Sequence, residues 1–300
     1  MNSRQKNKKV SVIIPTHKRA GQIRRALESV AKQTYENIET IVIDDNANDQ
    51  DERKKTAAIV NEFKNITLIQ NTKQLGGALS RNEGIKRATG KYVAFLDDDD
   101  EYLPSKIETQ LAFMQKNNLD VSFSNELIYD GNGKFLYKES HETFDGKNIL
   151  KYHLVKKIIG PQTFMYKTKV LLDIGGFDDV PSGQEYVLMY KTILAGYKIG
   201  YLDADLVKIY FHDGERISNG NKKIQGEKQL YELKKKHFNI LNFFEKENVR
   251  FEWAFSRYDY SRVKGSPKRF YYLLILLIRF PVPTTKAILK KVHKARKKRI

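Results

Sequence analysis

Between residues 10 and 125, short β-branched runs alternate with stretches of helical periodicity, and this alternation leaves few folds open. Residues 10–14 read as a strand closed by Pro15, after which Ile23, Leu27 and Val30 repeat at the i, i+4, i+7 spacing of one buried helix face. A second strand is expected at 39–43, a helix at 51–63 and a third strand at 66–69. Gly76-Gly77 opens another helix to residue 88 with Leu79 and Ile85 turned inward, and 91–96 is the fourth strand. Pro104 suits the first turn of the next helix, and 121–124 completes the set. Strands joined by helices of 10–15 residues mean βαβ units and a mostly parallel sheet flanked by helices. Such sheets bind ligands beyond the carboxyl ends of their strands, where the strand order reverses. The polar clusters of this half fall at those ends: Thr16-His17-Lys18-Arg19, Asp44-Asp45-Asn46, and the four aspartates 97–100.

That last run is chemically the loudest. A strand's two-residue period puts Asp97 and Asp99 on one side and Asp98 and Asp100 on the other. Four adjacent negative charges repel, and a cation among them is the expected relief. Ligands that are all oxygen suit a hard ion, Mn²⁺ or Mg²⁺, which keeps water and also binds phosphate oxygens. The plainer alternative is a solvated acidic turn.

After residue 125 the pattern changes. Asp130-Gly-Asn-Gly133 reads as a hairpin turn, 158–166 as a loop entering a strand, and Gly175-Gly176 as a helix end. A helix follows at 185–195, then a strand at 207–211 running into His212, and a polar helical region from about 221. The expected organisation is one domain over 1–220, with halves 9–125 and 126–220, and a helical extension over 221–300. Tyr102 and Trp253, as isolated aromatics, are read as core residues.

The chain of 300 residues carries a net charge of +18 and no cysteine, which excludes disulfides and thiolate metal sites. Twelve Lys or Arg and no Asp or Glu lie between 264 and 300, so most of the excess charge is in that tail. Its apolar stretch at 270–278 is far shorter than the roughly 20 residues a membrane span needs. Apolar residues and tyrosines followed by a basic run suit a segment lying on an anionic leaflet. The alternatives are a helix packed on the body or, less in keeping with the pattern, a nucleic-acid contact. The basic start of the chain lacks the form of a secretory signal, so the expected location is cytoplasmic, peripheral on the inner face of the cell membrane.

Taken in order, Val10-Ser-Val-Ile-Ile-Pro-Thr-His-Lys-Arg19, Ile43-Asp-Asp-Asn46 and Leu96-Asp-Asp-Asp-Asp-Glu-Tyr-Leu-Pro104 resemble the nucleotide-sugar half of an inverting family 2 glycosyltransferase with the GT-A fold. Gly175-Gly-Phe-Asp178 and Gly183-Gln-Glu-Tyr186 are similar to that family's acceptor-half motifs. The resemblance covers about residues 9–215. It implies a Rossmann-like nucleotide-binding sheet and transfer of a sugar from a nucleotide-sugar, a UDP-sugar by preference. The acceptor would be a hydroxyl of a glycan or lipid-linked glycan in cell-surface polysaccharide synthesis. By the same resemblance Asp45 reads the base, with Pro15, Thr16 and His17 lining its pocket. Arg19, Gly76, Arg81, Asp97 and Asp98 serve the rest of the donor, Arg81 together with Asn82 near the diphosphate. Asp99, Asp97 and His212 would hold Mn²⁺ or Mg²⁺, and Glu185 would be the catalytic base. Gln162, Asp178 and Gln184 are the acceptor-side candidates. His17 departs from the family's usual Tyr and Glu185 from its usual Asp. A nucleotidyltransferase would instead need a Gly-rich loop and lysine directly after the first strand, where this chain has Pro15-Thr-His-Lys-Arg-Ala-Gly21. A non-catalytic adaptor driven by charge would make the acids dispensable.

Overall fold

The computed structural model describes residues 8–142, 148–211, 221–281 and 283. Two compact units emerge: 1–150 with 158–179 and 184–214, and 151–157 with 180–183 and 215–300.

In the first unit β1 (Val10–Thr16), β2 (Ile38–Asp44), β3 (Ile66–Gln70) and β4 (Tyr92–Phe95) alternate with α1 (Ala20–Ala31), α2 (Gln50–Val60) and α3 (Gly77–Arg87). Then come β5 (Glu101–Tyr102), α4 (Lys106–Lys116), β6 (Val121–Asp130), β7 (Phe135–Glu139), β8 (Met165–Lys167), α6 (Thr168–Asp173), α7 (Gln184–Leu194) and β9 (Ile199–Phe211). A helix α5 (Ile149–Lys156) lies between β7 and β8 in sequence. Among the described residues one sheet runs β3-β2-β1-β4-β8-β6-β9-β5, with β7 beside β6. Strands β3, β2, β1 and β4 are parallel. Beyond them β8 is antiparallel to both β4 and β6, and β6 is parallel to β9. The sheet is therefore parallel over β3-β2-β1-β4 and mixed beyond it.

Both faces of β1 are covered, so its apolar run is continuous, as parallel strands require. Ile23, Leu27 and Val30 are buried as the periodicity demands. Helix α3 lies so close to β1 that a Cβ on Gly84 would fall 2.5 Å from Ile13 Cγ2. On α3 the inward face is Ala78, Ser80, Arg81, Gly84 and Ile85, with Leu79 half-buried rather than inward. Strand β1 continues through Pro15, which pairs with Ile43 of β2 beyond the last β4 partner at Ile13. The missing N–H of proline thus costs no bond to β4. Pro104 lies ahead of α4, not inside its first turn. Strand β6 continues to Asp130, so residue 125 falls in mid-strand.

The second unit contains α8 (Asn221–Lys235), α9 (Phe243–Val263) and α10 (Lys268–Arg279). Asn242 and Glu245 form a reciprocal capping box at the start of α9. Trp253 stacks on Tyr231 at 5.6 Å. Helix α10 buries Leu276, which with Phe280 packs against Ala254, Phe251, Phe255 and Tyr258. Phe270, Tyr271, Leu274, Leu277 and Ile278 are exposed, and their spacing places them along one side of the helix. No helix among the described residues is long and apolar enough to cross a membrane.

Candidate active site

The parallel register fixes where the polar clusters meet. Thr16 is level with Asp44, and the β1–β4 pairing ends at Ile13 and Phe95. Residues 16–19, 44–46 and 97–100 therefore emerge together at the carboxyl edge of β1, β2 and β4. The chain returns to opposite sides of β1 there, which makes a crevice.

One side of this edge is a cleft of about 290 Å³ lined by His17, Lys18, Asp45, Asn46, Ala47, Asn48, Asp49 and Gln74. His17 and Asp45 are thus brought to one cavity. Lys18 holds the left-handed φ of 56°, and its N–H donates to Asn46 Oδ1 at 2.6 Å. A lysine in that conformation is strained, and such strain clusters at ligand sites. Asn46 is buried, and its Nδ2 has no partner. The Asp45 carboxylate accepts from Asn71 Nδ2 at 2.7 Å and from the N–H groups of Leu75 (2.8 Å) and Gly76 (2.7 Å). Asp45 therefore anchors the loop ahead of α3, partly through the Gly76 N–H. Capping of α2 falls to Asp49, which accepts from the Glu52 N–H.

The four aspartates form a turn after β4 rather than extending the strand, and the Asp100 N–H returns to the Asp97 carbonyl. The alternation survives. Asp98 and Asp100 are each 3% exposed, while the side chains of Asp97 and Asp99 are 30% and 16% exposed. Part of their repulsion is offset by the groups that surround them. Arg19 donates to Asp98 at 3.0 Å and Asp99 at 2.7 Å, Arg81 is paired with Asp97, and Arg25 donates to the Asp99 carbonyl. Thr16 Oγ1 donates to Asp98 at 2.7 Å and the Tyr210 N–H to Asp100 at 3.0 Å. Guanidinium groups suit this task, because their planar fork matches carboxylate geometry. Burial pushes Asp98 up to about 7, with Asp99 adding and Arg19 and Thr16 opposing. Burial, with Asp97 and Asp99 adding, holds Asp100 well above the usual carboxylate range.

Among the described residues no group of three metal-ligating side chains gathers, and His212 lies outside the described residues. Asp97 and Asp99 remain as two hard oxygen donors on the open side of the turn. That set fits Mn²⁺ or Mg²⁺ in the open form where water and phosphate complete the shell. Arg81, paired with Asp97, keeps its buried Nε without a partner, so one cationic donor is left for an anion. Asn82 does not join it: its amide donates to the Phe177 carbonyl and accepts from the Phe177 N–H, both at 2.8 Å.

Of the residues expected on the acceptor side, Glu185 lies in the first turn of α7 with Gln184 before it. Asp178 is paired with Lys191, which also donates to the Gly176 carbonyl at 2.8 Å, so it braces the loop onto α7. Gln162, in the 3-10 turn Pro161–Thr163, is buried, and its Oε1 has no partner. The sequence reading missed Glu126 on β6. Its Oε1 is sealed from solvent and unpartnered, and burial, with Glu139, Asp97 and Glu185 adding, raises it to about 8. Its one sequence trace is Gly160, where a Cβ would fall 1.9 Å from Glu126 Oε1.

The half-parallel sheet, with an acidic turn beside a nucleotide-sized cleft, defines a GT-A type α/β fold. The chain belongs to glycosyl transferase family 2, whose profile matches residues 11–175. An uncharacterized glycosyltransferase of Methanocaldococcus jannaschii is 30% identical over 240 residues, 76% of this chain and 81% of the relative. An Escherichia coli protein, the UDP-Glc:alpha-D-GlcNAc-diphosphoundecaprenol beta-1,3-glucosyltransferase WfgD, is 38% identical over 132 residues, 42% of this chain and 50% of the relative. The chain spans a third of the length of an uncharacterized glycosyltransferase of Rickettsia felis that it also matches. In fold it is similar to the crystal structure of S. aureus TarS 1–349 in complex with UDP-GlcNAc, at TM-score 0.62 and 23% identity. That match covers 86% of this chain and 74% of the other.

Proposed function

We propose that this glycosyltransferase is inverting and metal-dependent, and moves a hexosyl or N-acetylhexosaminyl group from a UDP-sugar to a hydroxyl of a lipid-linked glycan. The observation that carries the reading is the single strand edge at which the His17–Asp45 cleft meets the Asp97–Asp99 turn. The UDP part is supported by the donor bound to TarS and the acceptor class by the reaction in WfgD's name.

In this reading the base lies in the cleft, with Asn46 Nδ2 as a waiting donor. Arg19 and Arg81 hold the acids in place until donor arrives, and then share them with it. Asp97 and Asp99 would hold Mn²⁺ or Mg²⁺, which would neutralise charge on the departing diphosphate. Glu185 accepts the acceptor hydroxyl's proton as the new bond forms at the anomeric carbon, in one displacement that inverts it. Nucleotide release from a panel of UDP-, GDP-, CDP- and dTDP-sugars with Mn²⁺ tests the donor, and UDP-sugars should be preferred. Glu185→Gln should then lose about 10²- to 10⁴-fold in transfer, the usual worth of a general base, with UDP binding kept. Wild-type-like transfer by that variant would remove Glu185 from the role.

The membrane reading of the tail is supported by the exposed side of α10. Phe270, Tyr271, Leu274, Leu277 and Ile278 offer an apolar side, with Lys268, Arg269 and Arg279 beside it on the same helix. Apolar insertion and attraction to anionic lipid act together in such helices. Leu274→Glu with Ile278→Glu should abolish cosedimentation with phosphatidylglycerol vesicles and leave UDP release unchanged. Undiminished vesicle binding would sink the assignment.

A further inference from the structure

Two oxygen atoms on the acceptor side are buried and unused. Glu126 Oε1 and Gln162 Oε1 are both shut off from solvent without a hydrogen-bond partner, and Gln162 is 6% exposed as a residue. They come from neighbouring elements. Gln162 follows Gly160 by two residues, and Gly160 abuts the Glu126 carboxyl so closely that any side chain would overlap it. Gly160 also holds φ +93°, a conformation glycine adopts without strain. The turn is thus shaped to admit the acid. Thr163 fastens it, its Oγ1 donating to the Gly160 carbonyl at 2.8 Å.

Burying an acid without a partner costs free energy, and an orphaned buried oxygen in a native fold calls for a ligand, water or function. The occupant must donate to Gln162 Oε1 and can donate to or accept from the Glu126 carboxyl. An anion would meet Glu126 with Asp97 and Glu185 close enough to act on it electrostatically. A metal would lack a third side-chain ligand among the described residues. Neutral hydroxyls carry no such penalty.

We propose that Glu126 and Gln162 form a hydroxyl-binding corner that receives a pyranose ring of the reacting sugars. This rests on the glycosyltransferase reading of the same site and adds a recognition element on its acceptor side. The ring is that of the acceptor glycan or of the sugar in transfer, and both present the same chemistry.

The full chain is assayed with UDP-glucose and UDP-GlcNAc in Mn²⁺, by UDP release without acceptor and by transfer to an alkyl-diphosphate-linked α-GlcNAc. Glu126→Leu and Gln162→Leu should each lower kcat/KM for transfer at least tenfold, with UDP affinity unchanged. The melting temperature of Glu126→Leu should hold or rise, because an orphaned buried acid has been removed. Glu126→Gln keeps the shape and guards against misfolding; it should lose at least fivefold. A matching loss in acceptor-free UDP release places the transferred sugar in the corner, whereas a raised KM for acceptor alone places the acceptor there. Both results support the corner. Transfer within twofold of wild type in the Leu variants would mean water fills it, and a fall in melting temperature parallel to activity would mean packing; either overturns it. Wild type inactive with every donor would sink the enzyme reading and the corner together, while an active wild type with unchanged variants sinks the corner alone.

Discussion

The proposed donor edge and the proposed acceptor side of the first unit treat buried acid in opposite ways. Around residues 97–100 every carboxylate has a named counterpart: Arg81 for Asp97, Thr16 and Arg19 for Asp98, Arg19 for Asp99, and the Tyr210 N–H for Asp100. At Glu126 one oxygen has none. In the first arrangement every acid has a partner before any ligand arrives, yet Asp98 and Asp100 stay above the usual carboxylate range, so the negative charge is only partly offset. The second is incomplete, and a ligand there would repair a standing cost. An acidic cluster therefore does not by itself announce a metal. What matters is which of its oxygens the protein has already committed.

Arg81→Met would break the donor edge of that comparison most severely. The arginine is nearly buried and paired with Asp97, and its guanidinium lies 5.5 Å from the Phe177 ring centroid. Removing it leaves Asp97 facing Asp98, Asp99 and Asp100 with one cation fewer. Breaking a fully buried pair costs 3–5 kcal/mol, and because Asp97 is part-exposed the expected loss is roughly 2–3 kcal/mol in urea denaturation. Adding Asp97→Asn should recover most of it, since no unpaired charge then remains. A loss below about 0.5 kcal/mol, the range of an ordinary surface change, would mean that the acids do not depend on their arginines.

Much of the donor edge was legible because two periodicities and the placement of polar residues at strand ends are local signals. The spacing of Ile23, Leu27 and Val30 located α1, and the two-residue alternation separated Asp98 and Asp100 from Asp97 and Asp99 even though the backbone there is a turn. The counter-ions were not legible as such. Arg19 reaches Asp98 across 79 positions and Arg25 reaches Asp99 across 74, and no local pattern marks which arginine meets which acid. Strand β9 was foreseen only at 207–211, because Asp203 and Asp205 break its apolar run. In the fold Asn125 donates to both at 2.9 Å, so the polar break is satisfied by the neighbouring strand. Glu126 escaped for the same reason: a single acid in a strand carries no local signal, and the glycine that makes room for it is 34 residues away.

Glu39 sharpens the comparison from the far end of β2, where an acid is satisfied mainly by neutral donors, with Lys9 Nζ 3.6 Å away. Its carboxylate accepts from Ser11 Oγ, the Thr89 N–H at 2.6 Å, Thr89 Oγ1 at 2.7 Å and the Gly90 N–H at 3.0 Å. Burial alone would raise it, but these bonds outweigh burial and hold Glu39 below its ordinary 4.5. Folding therefore favours its charged form. The stabilisation is complete above the ordinary value and is lost as pH falls through the depressed folded value. Glu126, raised to about 8, has the opposite sign: folding favours its neutral form, and that contribution fades as pH rises from 4.5 through about 8. Glu39→Gln should cost about 1 kcal/mol at neutral pH, a typical net hydrogen-bond loss, and the cost should shrink below pH 4. Glu126→Gln should remove a decline in urea midpoint between pH 5 and 8 and leave the acid limb intact. If the Glu39 variant loses equally at pH 3 and pH 7, its bonds do not distinguish the charged carboxylate. The contrast between satisfied and orphaned acid would then fail at its simplest example.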